Sequence, residues 1–351
     1  MHTALARIAG EGPVRFDRFQ TDALYGPDGF YADGGVAGRG GDFITAVETG
    51  PDFATSIAVE LDAAWTAAGE PSLFVVVEGG AGVGTLCSDV YGAGPSCSEA
   101  LRWVMVEHSD LQRDAAMNRL ANETFPDIDQ LPVAAVADIS QMRLREPVNL
   151  VLANELLDNL PVRIVRREET WQELFVGLDG GTAVVVWNDL DAAAARRAER
   201  HGASIANGVP FPLVDHAVQW VVNAQRLLQP GGSLIAFDYG ATTDELSERG
   251  LDGWLRTYAD HRRGVGALAN IGGQDITADV AFDQLPGRPR IESQRDWLTS
   301  RGILERRATV TASIDPGLSQ AASLQAAERV QQIDALIDLD GLGGFFAATW
   351  T

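Results

Sequence analysis

The segment of this chain best suited to chemistry is Glu78-Gly79-Gly80-Ala81-Gly82-Val83-Gly84-Thr85-Leu86. It follows a buried apolar run and precedes a plausible helix. Glycines at 80, 82 and 84 let the backbone turn tightly and approach a ligand with no Cβ in the way. The helix beyond offers free N–H groups. A dinucleotide fingerprint needs G-x-G-x-x-G/A, and counted from Gly80 position 85 is threonine. The pattern is instead E-x-G-x-G-x-G, with Glu78 closing the strand. An acid there repels a pyrophosphate and suits a cationic or zwitterionic ligand. S-adenosylmethionine carries a sulfonium and an ammonium and no phosphate. The bland alternative is an ordinary glycine-rich strand–helix turn; the strand context, the spacing and the acid weigh against it.

Glu107 ends the next strand-like run. It is placed to accept both hydroxyls of a ribose, or it is a solvated strand-end acid; the residues alone leave both open. Asp138 ends a third run and could meet an adenine amino group. Past a fourth run stand Asn154, Glu155 and Asp158. Two carboxylates can grip a guanidinium bidentately and help remove its proton. If the segment turns helical, Glu155 and Asp158 share a face. On the residues alone, the reading in which Asp158 satisfies backbone groups and Glu155 is solvated is favoured over the acceptor role.

The elements that would position these residues are short β-rich runs alternating with helical stretches, the pattern of a mostly parallel sheet covered by helices. The runs are Ser72–Glu78, Arg102–Glu107, Val133–Asp138, Val148–Asn154 and Ser233–Asp238, each ending in an acid or amide. In open α/β sheets the ligand crevice lies beyond the carboxyl ends of the strands. Between the fourth and fifth runs the pattern predicts an antiparallel meander over Val162–Arg167, Trp171–Val176 and Thr182–Trp187. Helices follow over Asp191–His201 and Asp215–Leu228, the second stopped by Gln229-Pro230-Gly231-Gly232. Residues 26–41 are glycine-rich and read as a long loop of functional or mobile character. Gly317–Ile337 reads as a helix. The division expected is a helical and loop segment over 1–70 that contributes a lid, and a sheet domain over 71–351 with an insertion at about 162–228.

The 351 residues carry 27 basic and 49 acidic side chains, a net charge of −22, and every basic residue is arginine. So acidic a chain is a poor general nucleic-acid binder, which needs a basic face. Two cysteines, Cys87 and Cys97, cannot staple a chain of this size, so a reducing compartment is expected. No apolar run reaches the length of a membrane span, and the first residues resemble neither a signal nor a transit peptide. The histidines show no metal-ligand spacing, so no metal is expected. A G-x-S-x-G nucleophile elbow is also missing.

Several segments together resemble a known family. They begin with Gly12-Pro13-Val14-Arg15-Phe16, Ala23-Leu24-Tyr25-Gly26-Pro27 and Gly41-Asp42-Phe43-Ile44-Thr45, followed by the glycine turn. The most specific is Ala153-Asn154-Glu155-Leu156-Leu157-Asp158-Asn159-Leu160-Pro161-Val162. Further on come Phe237-Asp238-Tyr239-Gly240, Leu255–His261 and Asp275–Val280. The chain is similar to the MidA-type class I methyltransferases, relatives of a mitochondrial complex I assembly factor that methylates arginine. The resemblance implies an α/β fold with a Rossmann-like class I methyltransferase sheet, and S-adenosylmethionine as cofactor. It implies cofactor contacts from Glu78, Gly80, Gly82, Gly84, Glu107, Asp138, Asn154 and Thr45, and acceptor chemistry from Glu155, Asp158 and Asn154. The acceptor it implies is a protein with an accessible arginine, methylated in the cytoplasm without nucleic acid or membrane; a homodimer stays open. The loop over 26–45 would close on cofactor and acceptor. Val47, Pro51 and Thr55 depart from the family pattern. They keep two alternatives open: a non-catalytic assembly factor that retains the fold, and a small-molecule or natural-product methyltransferase.

Overall fold

The computed structural model describes residues 1–32, 45–123, 133–142, 146–259, 262–314 and 319–351. The chain forms two compact units. One comprises Ile44–Glu155, Ala224–Asp238 and Pro289–Thr351, the other Met1–Phe43, Leu156–Asn223 and Tyr239–Arg288.

The first unit is built on seven strands: β1 (Phe74–Gly79), β2 (Leu101–Val106), β3 (Val133–Val136), β4 (Val148–Asn154), β5 (Leu228–Asp238), β6 (Arg290–Ser293) and β7 (Phe346–Trp350). Their order is β6-β7-β5-β4-β1-β2-β3. Strands β3, β2, β1, β4 and β5 pair in parallel, and β7 runs antiparallel to both of its neighbours. Chain order reverses between the adjacent β1 and β4, so a crevice is expected beyond their carboxyl ends. Strand β1 reads Phe-Val-Val-Val-Glu-Gly, and all six residues are buried. A parallel strand covered on both faces must be a continuous apolar run of this kind.

The helix Pro51–Ala67 starts with proline at its first turn, where the missing N–H costs nothing. It buries Phe53, Ile57 and Leu61 at four-residue spacing, the stripe that one helical face presents. The Phe53 ring packs edge-on against Phe237 of β5 at 5.1 Å, and Phe237 against Trp297 at 4.8 Å. The stop expected at Gln229–Gly232 appears as an irregularity inside β5, where pairing with β4 is interrupted between Leu228 and Ser233. Gly231 there takes φ +83°. A Cβ on Gly232 would lie 2.9 Å from the Asn149 carbonyl oxygen, so the interruption needs its glycines.

The second unit contains the expected meander: strands Arg163–Arg167, Trp171–Asp179 and Thr182–Asp189, joined by Val14–Arg15 and Phe211–Leu213 into one sheet. Inside it Arg163 donates to both carboxylate oxygens of Glu173 at 2.6 Å, with both side chains buried. A smaller antiparallel sheet pairs Leu255–Ala259 with Arg262–Arg263 and with Asp275–Ala278. The units do not divide the chain at residue 70. Helix Pro51–Ala67 belongs with the seven-stranded sheet because it supplies part of that core, while the first 43 residues group with the insertion.

Candidate active site

Three glycines after β1 take left-handed backbone, with φ +68° at Gly80, +53° at Gly82 and +76° at Gly84. L-residues with a Cβ resist that region. Their surroundings differ. Among the described residues, a Cβ on Gly82 would meet only the Gln112 side chain, at 3.6 Å. A Cβ on Gly84 would lie 3.0 Å from Ala116 Cβ and 3.3 Å from Met105 Sδ. Gly84 therefore permits close packing against helix Asp110–Asn122, while Gly82 leaves open approach to the backbone. Helix Thr85–Ala93 starts directly after the turn.

Glu107, just past β2, accepts from the Gly82 amide at 3.0 Å with one carboxylate oxygen and from the Ser109 amide at 2.8 Å with the other. It thus ties the glycine turn to the end of β2, a role that sequence reading missed. A carboxylate has about four acceptor sites, and Glu107 is only half-buried, so capacity remains for hydroxyl donors. Glu78 is buried and accepts from the Trp103 indole N–H at 2.8 Å. Burial pushes its carboxyl up to about 8, against the lowering effect of the Trp103 bond, with the nearby Glu107 adding to the rise. At neutral pH Glu78 is mostly a neutral acid, so its strand-end position does not by itself place a full negative charge beside the turn.

At the end of β4, Glu155 has φ +49°, and its amide donates to the Phe237 carbonyl at 2.8 Å. One oxygen of its carboxylate accepts from the Ala46 amide at 2.9 Å and from the Asn154 side chain at 3.2 Å. The Asn154 Oδ1 is buried and has no hydrogen-bond partner among the described residues. A buried carbonyl oxygen left in that state asks for a donor. Thr45 caps the short helix Ala46–Thr49, accepting from the Glu48 amide at 3.4 Å. Asp138 beyond β3 caps the turn Ile139–Gln141 through the Ser140 amide at 2.7 Å. Four of the strand ends, Glu78, Glu107, Asp138 and Asn154, thus lie at the carboxyl edge of neighbouring parallel strands, as the sequence pattern implied.

The expected helical face joining Glu155 to Asp158 does not form. After Asn154 the chain makes two overlapping turns, Asn159 N–H to Leu156 O at 3.2 Å and Leu160 N–H to Leu157 O at 3.4 Å. Pro161 follows and disfavours helix at the residue before it. Asp158 lies in the second unit, at the centre of a polar cluster. It is buried and accepts from the Tyr239 hydroxyl. The Arg256 guanidinium lies over the Tyr239 ring at 4.4 Å and pairs with Asp279. Asn159, beside Asp158, donates to both oxygens of Asp275 at 3.4 and 3.2 Å. Tyr25 donates to the Asn159 side chain at 3.1 Å, and its ring stacks on Tyr31 at 5.5 Å. Burial raises the Asp158 carboxyl to about 6, opposed by the Tyr239 bond and the Arg256 charge. Burial and the neighbouring Asp158 raise Asp275 to about 7.

The first unit's donor set fits S-adenosylmethionine: left-handed glycines with open approach at position 82, a carboxylate beside them, and a buried amide oxygen awaiting a donor. The model of the family "Putative S-adenosyl-L-methionine-dependent methyltransferase" matches residues 56–299. The chain belongs to this family. Its cofactor is S-adenosylmethionine, as the resemblance implied. A superfamily member from Burkholderia thailandensis, solved with S-adenosyl-homocysteine bound, superimposes with a TM-score of 0.82 at 26% identity, covering 98% of this chain and 89% of that one. The mitochondrial protein arginine methyltransferase NDUFAF7 homolog of Drosophila melanogaster is 28% identical over 79% of this chain and 67% of its own length. NDUFAF7 of Rattus norvegicus, also named a mitochondrial protein arginine methyltransferase, is 25% identical over 90% of this chain and 77% of its own. The seven-stranded sheet with one antiparallel strand is thus the expected class I methyltransferase sheet. The Gly41–Ile44 part of the family's G-D-F-x-T block, and most of the loop expected to act as a lid, lie outside the described residues.

Proposed function

We propose that this methyltransferase acts on an arginine guanidinium of a protein acceptor. Bound S-adenosylmethionine supplies a methyl group already activated on a sulfonium. What remains for the protein is to orient the partners, exclude water and accept one proton. On this reading Gly80, Gly82 and Gly84 admit the cofactor to the backbone, and Glu107 receives its ribose hydroxyls. The Asn154 amide oxygen faces its donor groups, while Thr45, Glu78 and Asp138 shape the surrounding edge. Glu155 holds the Ala46 amide and the Asn154 amide, which makes it a positioning residue for the end of β4.

The observation that carries the arginine reading is the setting of Asp158. Its carboxyl is buried among tyrosines and beside a second carboxyl, surroundings that match the planar fork of donors on a guanidinium. A group near 6 is also ionised at neutral pH and able to take a proton as the guanidinium becomes methylated. The names of the curated relatives and the net charge of −22, which draws basic segments, support the same reading. The test is to incubate the purified chain with isotope-labelled S-adenosylmethionine and a proteome from cells lacking the gene, and to locate the label by mass spectrometry. Label on arginine supports the proposal; label only on hydroxyl, carboxyl or small-molecule acceptors removes it.

A further inference from the structure

The last strand of a sheet offers a row of unpaired backbone groups to any other strand, and folded chains blunt such edges with short length, charge, proline or a bulge. The ends of the seven-stranded sheet follow that rule. Val133–Val136 and Arg290–Ser293 have four residues each, and the second carries an arginine and a glutamate. In the other unit Val14–Arg15 has two residues, and Phe211–Leu213 has three with Pro212 at its centre. Strand Thr182–Asp189 of the meander departs from the rule. It has eight residues, pairs along its whole length with Trp171–Asp179 without a register shift, and among the described residues pairs with no other strand. Its sequence, Thr-Ala-Val-Val-Val-Trp-Asn-Asp, holds no proline, glycine, lysine or arginine, and its one charge stands at the last position.

The direction of each backbone group follows from the pairing. The Leu190 N–H donates to the Trp171 carbonyl at 2.9 Å, continuing the register in which Gln172 stands opposite Asp189. Hydrogen-bonded pairs alternate along an antiparallel ladder, so Thr182, Val184, Val186 and Asn188 bond to the neighbouring strand. Ala183, Val185 and Trp187 turn their N–H and C=O groups the other way, where none has a protein partner among the described residues. Val185, at the middle of this row, is 48% exposed.

We propose that this edge pairs with the same edge of a second copy of the chain, antiparallel about a two-fold axis, so that two five-stranded sheets join into one. The edge is complementary to itself. A two-fold axis at Val185 or at Val186 lays odd-numbered residues against odd-numbered residues, so the outward N–H groups of one copy meet the outward C=O groups of the other. In the two settings Asp189 stands opposite Gly181 or Ala183 of the second copy, so the strand's only charge meets no like charge. A basic segment, the partner that an acidic chain generally draws, finds no acid within positions 182–188 to hold it. The edge is about 25 Å long, a small interface, so a dissociation constant on the order of 1–100 μM is expected. The charge of −22 on each copy opposes association, and salt screens that repulsion. Pairing through a neutral apolar edge therefore strengthens as salt rises.

Sedimentation velocity of the full chain, from about 1 to 200 μM protein, reads the association. The wild type is expected to dimerise in that range, more tightly in about 0.5 M than in about 0.05 M salt. Val185→Pro removes an outward N–H and no bond to Trp171–Asp179, and Val185→Lys sets a charge into the apolar pairing. Each should raise the dissociation constant about tenfold or more, the scale of two lost ladder bonds, one per copy. Val185→Thr keeps the β-branch and the N–H, and should stay within about threefold of wild type. Circular dichroism checks that each variant is folded. A wild type that stays monomeric throughout overturns the proposal. So does a dimer that folded Val185→Pro and Val185→Lys proteins leave intact, or one that loosens as salt rises, which would place the contact on paired charges elsewhere. Should Val185→Pro fail to fold, the other two variants decide: equal dissociation constants for the lysine and threonine forms overturn the edge pairing.

Discussion

Replacing Glu107 separates two roles that the structure gives one carboxylate. In the folded chain its oxygens hold the Gly82 amide at 3.0 Å and the Ser109 amide at 2.8 Å. Hydrogen bonds to a charged group contribute about 1.5–3 kcal/mol each. Glu107 is half-buried, so water takes over part of both bonds in Glu107→Ala. The expected loss of stability is therefore about 1.5–3 kcal/mol in total. The ribose of the cofactor should lose a similar amount, about ten- to a hundredfold in affinity. Glu107→Gln keeps one side-chain oxygen and turns an NH2 toward the second amide, so it should fall between wild type and alanine on both scales. Denaturant titration of the cofactor-free protein reads the first cost, and calorimetry with S-adenosylhomocysteine reads the second. NADH should not compete in that calorimetry. A stability loss with unchanged S-adenosylhomocysteine affinity would refute the ribose role and leave Glu107 as a clamp on the glycine turn. Competition by NADH as strong as by S-adenosylhomocysteine would refute the reasoning from glycine spacing.

Four further outcomes follow from the geometry. Asp158→Asn should leave cofactor affinity near wild type and lower turnover by about 10²-fold or more, the scale of lost general-base assistance; full turnover would remove its acceptor role. The rate should rise with pH through about 6 as Asp158 ionises, and Tyr239→Phe, which removes the bond holding that carboxyl down, should move the inflection upward; an unmoved profile would assign the titration elsewhere. The folded chain holds a proton on Glu78 up to about 8, so between its ordinary carboxylate range and about 8 the folded state binds more protons than the unfolded one, and stability falls as pH rises; Glu78→Gln should flatten that decline in melting temperature. In the meander, Glu173→Ala removes the buried bidentate partner of Arg163 and leaves it Asp191 at 3.3 Å and Asp215 at 3.6 Å, so it should cost about 1.5–3 kcal/mol, whereas replacing both Arg163 and Glu173 by apolar residues should cost less; equal losses in chemical denaturation would show that packing, not charge, holds the pair.

Glycine at 80, 82 and 84 could be read from the chain because a left-handed turn is a local demand, met by a residue with no Cβ wherever the turn falls. The parallel strands were legible for a similar reason: a strand buried on both faces must be a continuous apolar run, as Phe74–Val77 is. Their polar last residues marked the carboxyl edge. What the tertiary structure decided is which side chains meet there. Glu78 and Trp103 look like independent strand residues until adjacent pairing brings the indole to the carboxyl and burial turns the acid neutral. Glu155 and Asp158 are three positions apart, yet a left-handed residue at 155 and the turns before Pro161 send them to different compact units. Asp275 joins the neighbourhood of Asp158 through Asn159 across 116 residues of chain. No local propensity encodes that meeting, because it depends on how a sheet closes after the insertion has folded. Local backbone chemistry wrote the cofactor turn into the sequence, while the charge balance around Asp158 exists only once distant strands have buried their acids together.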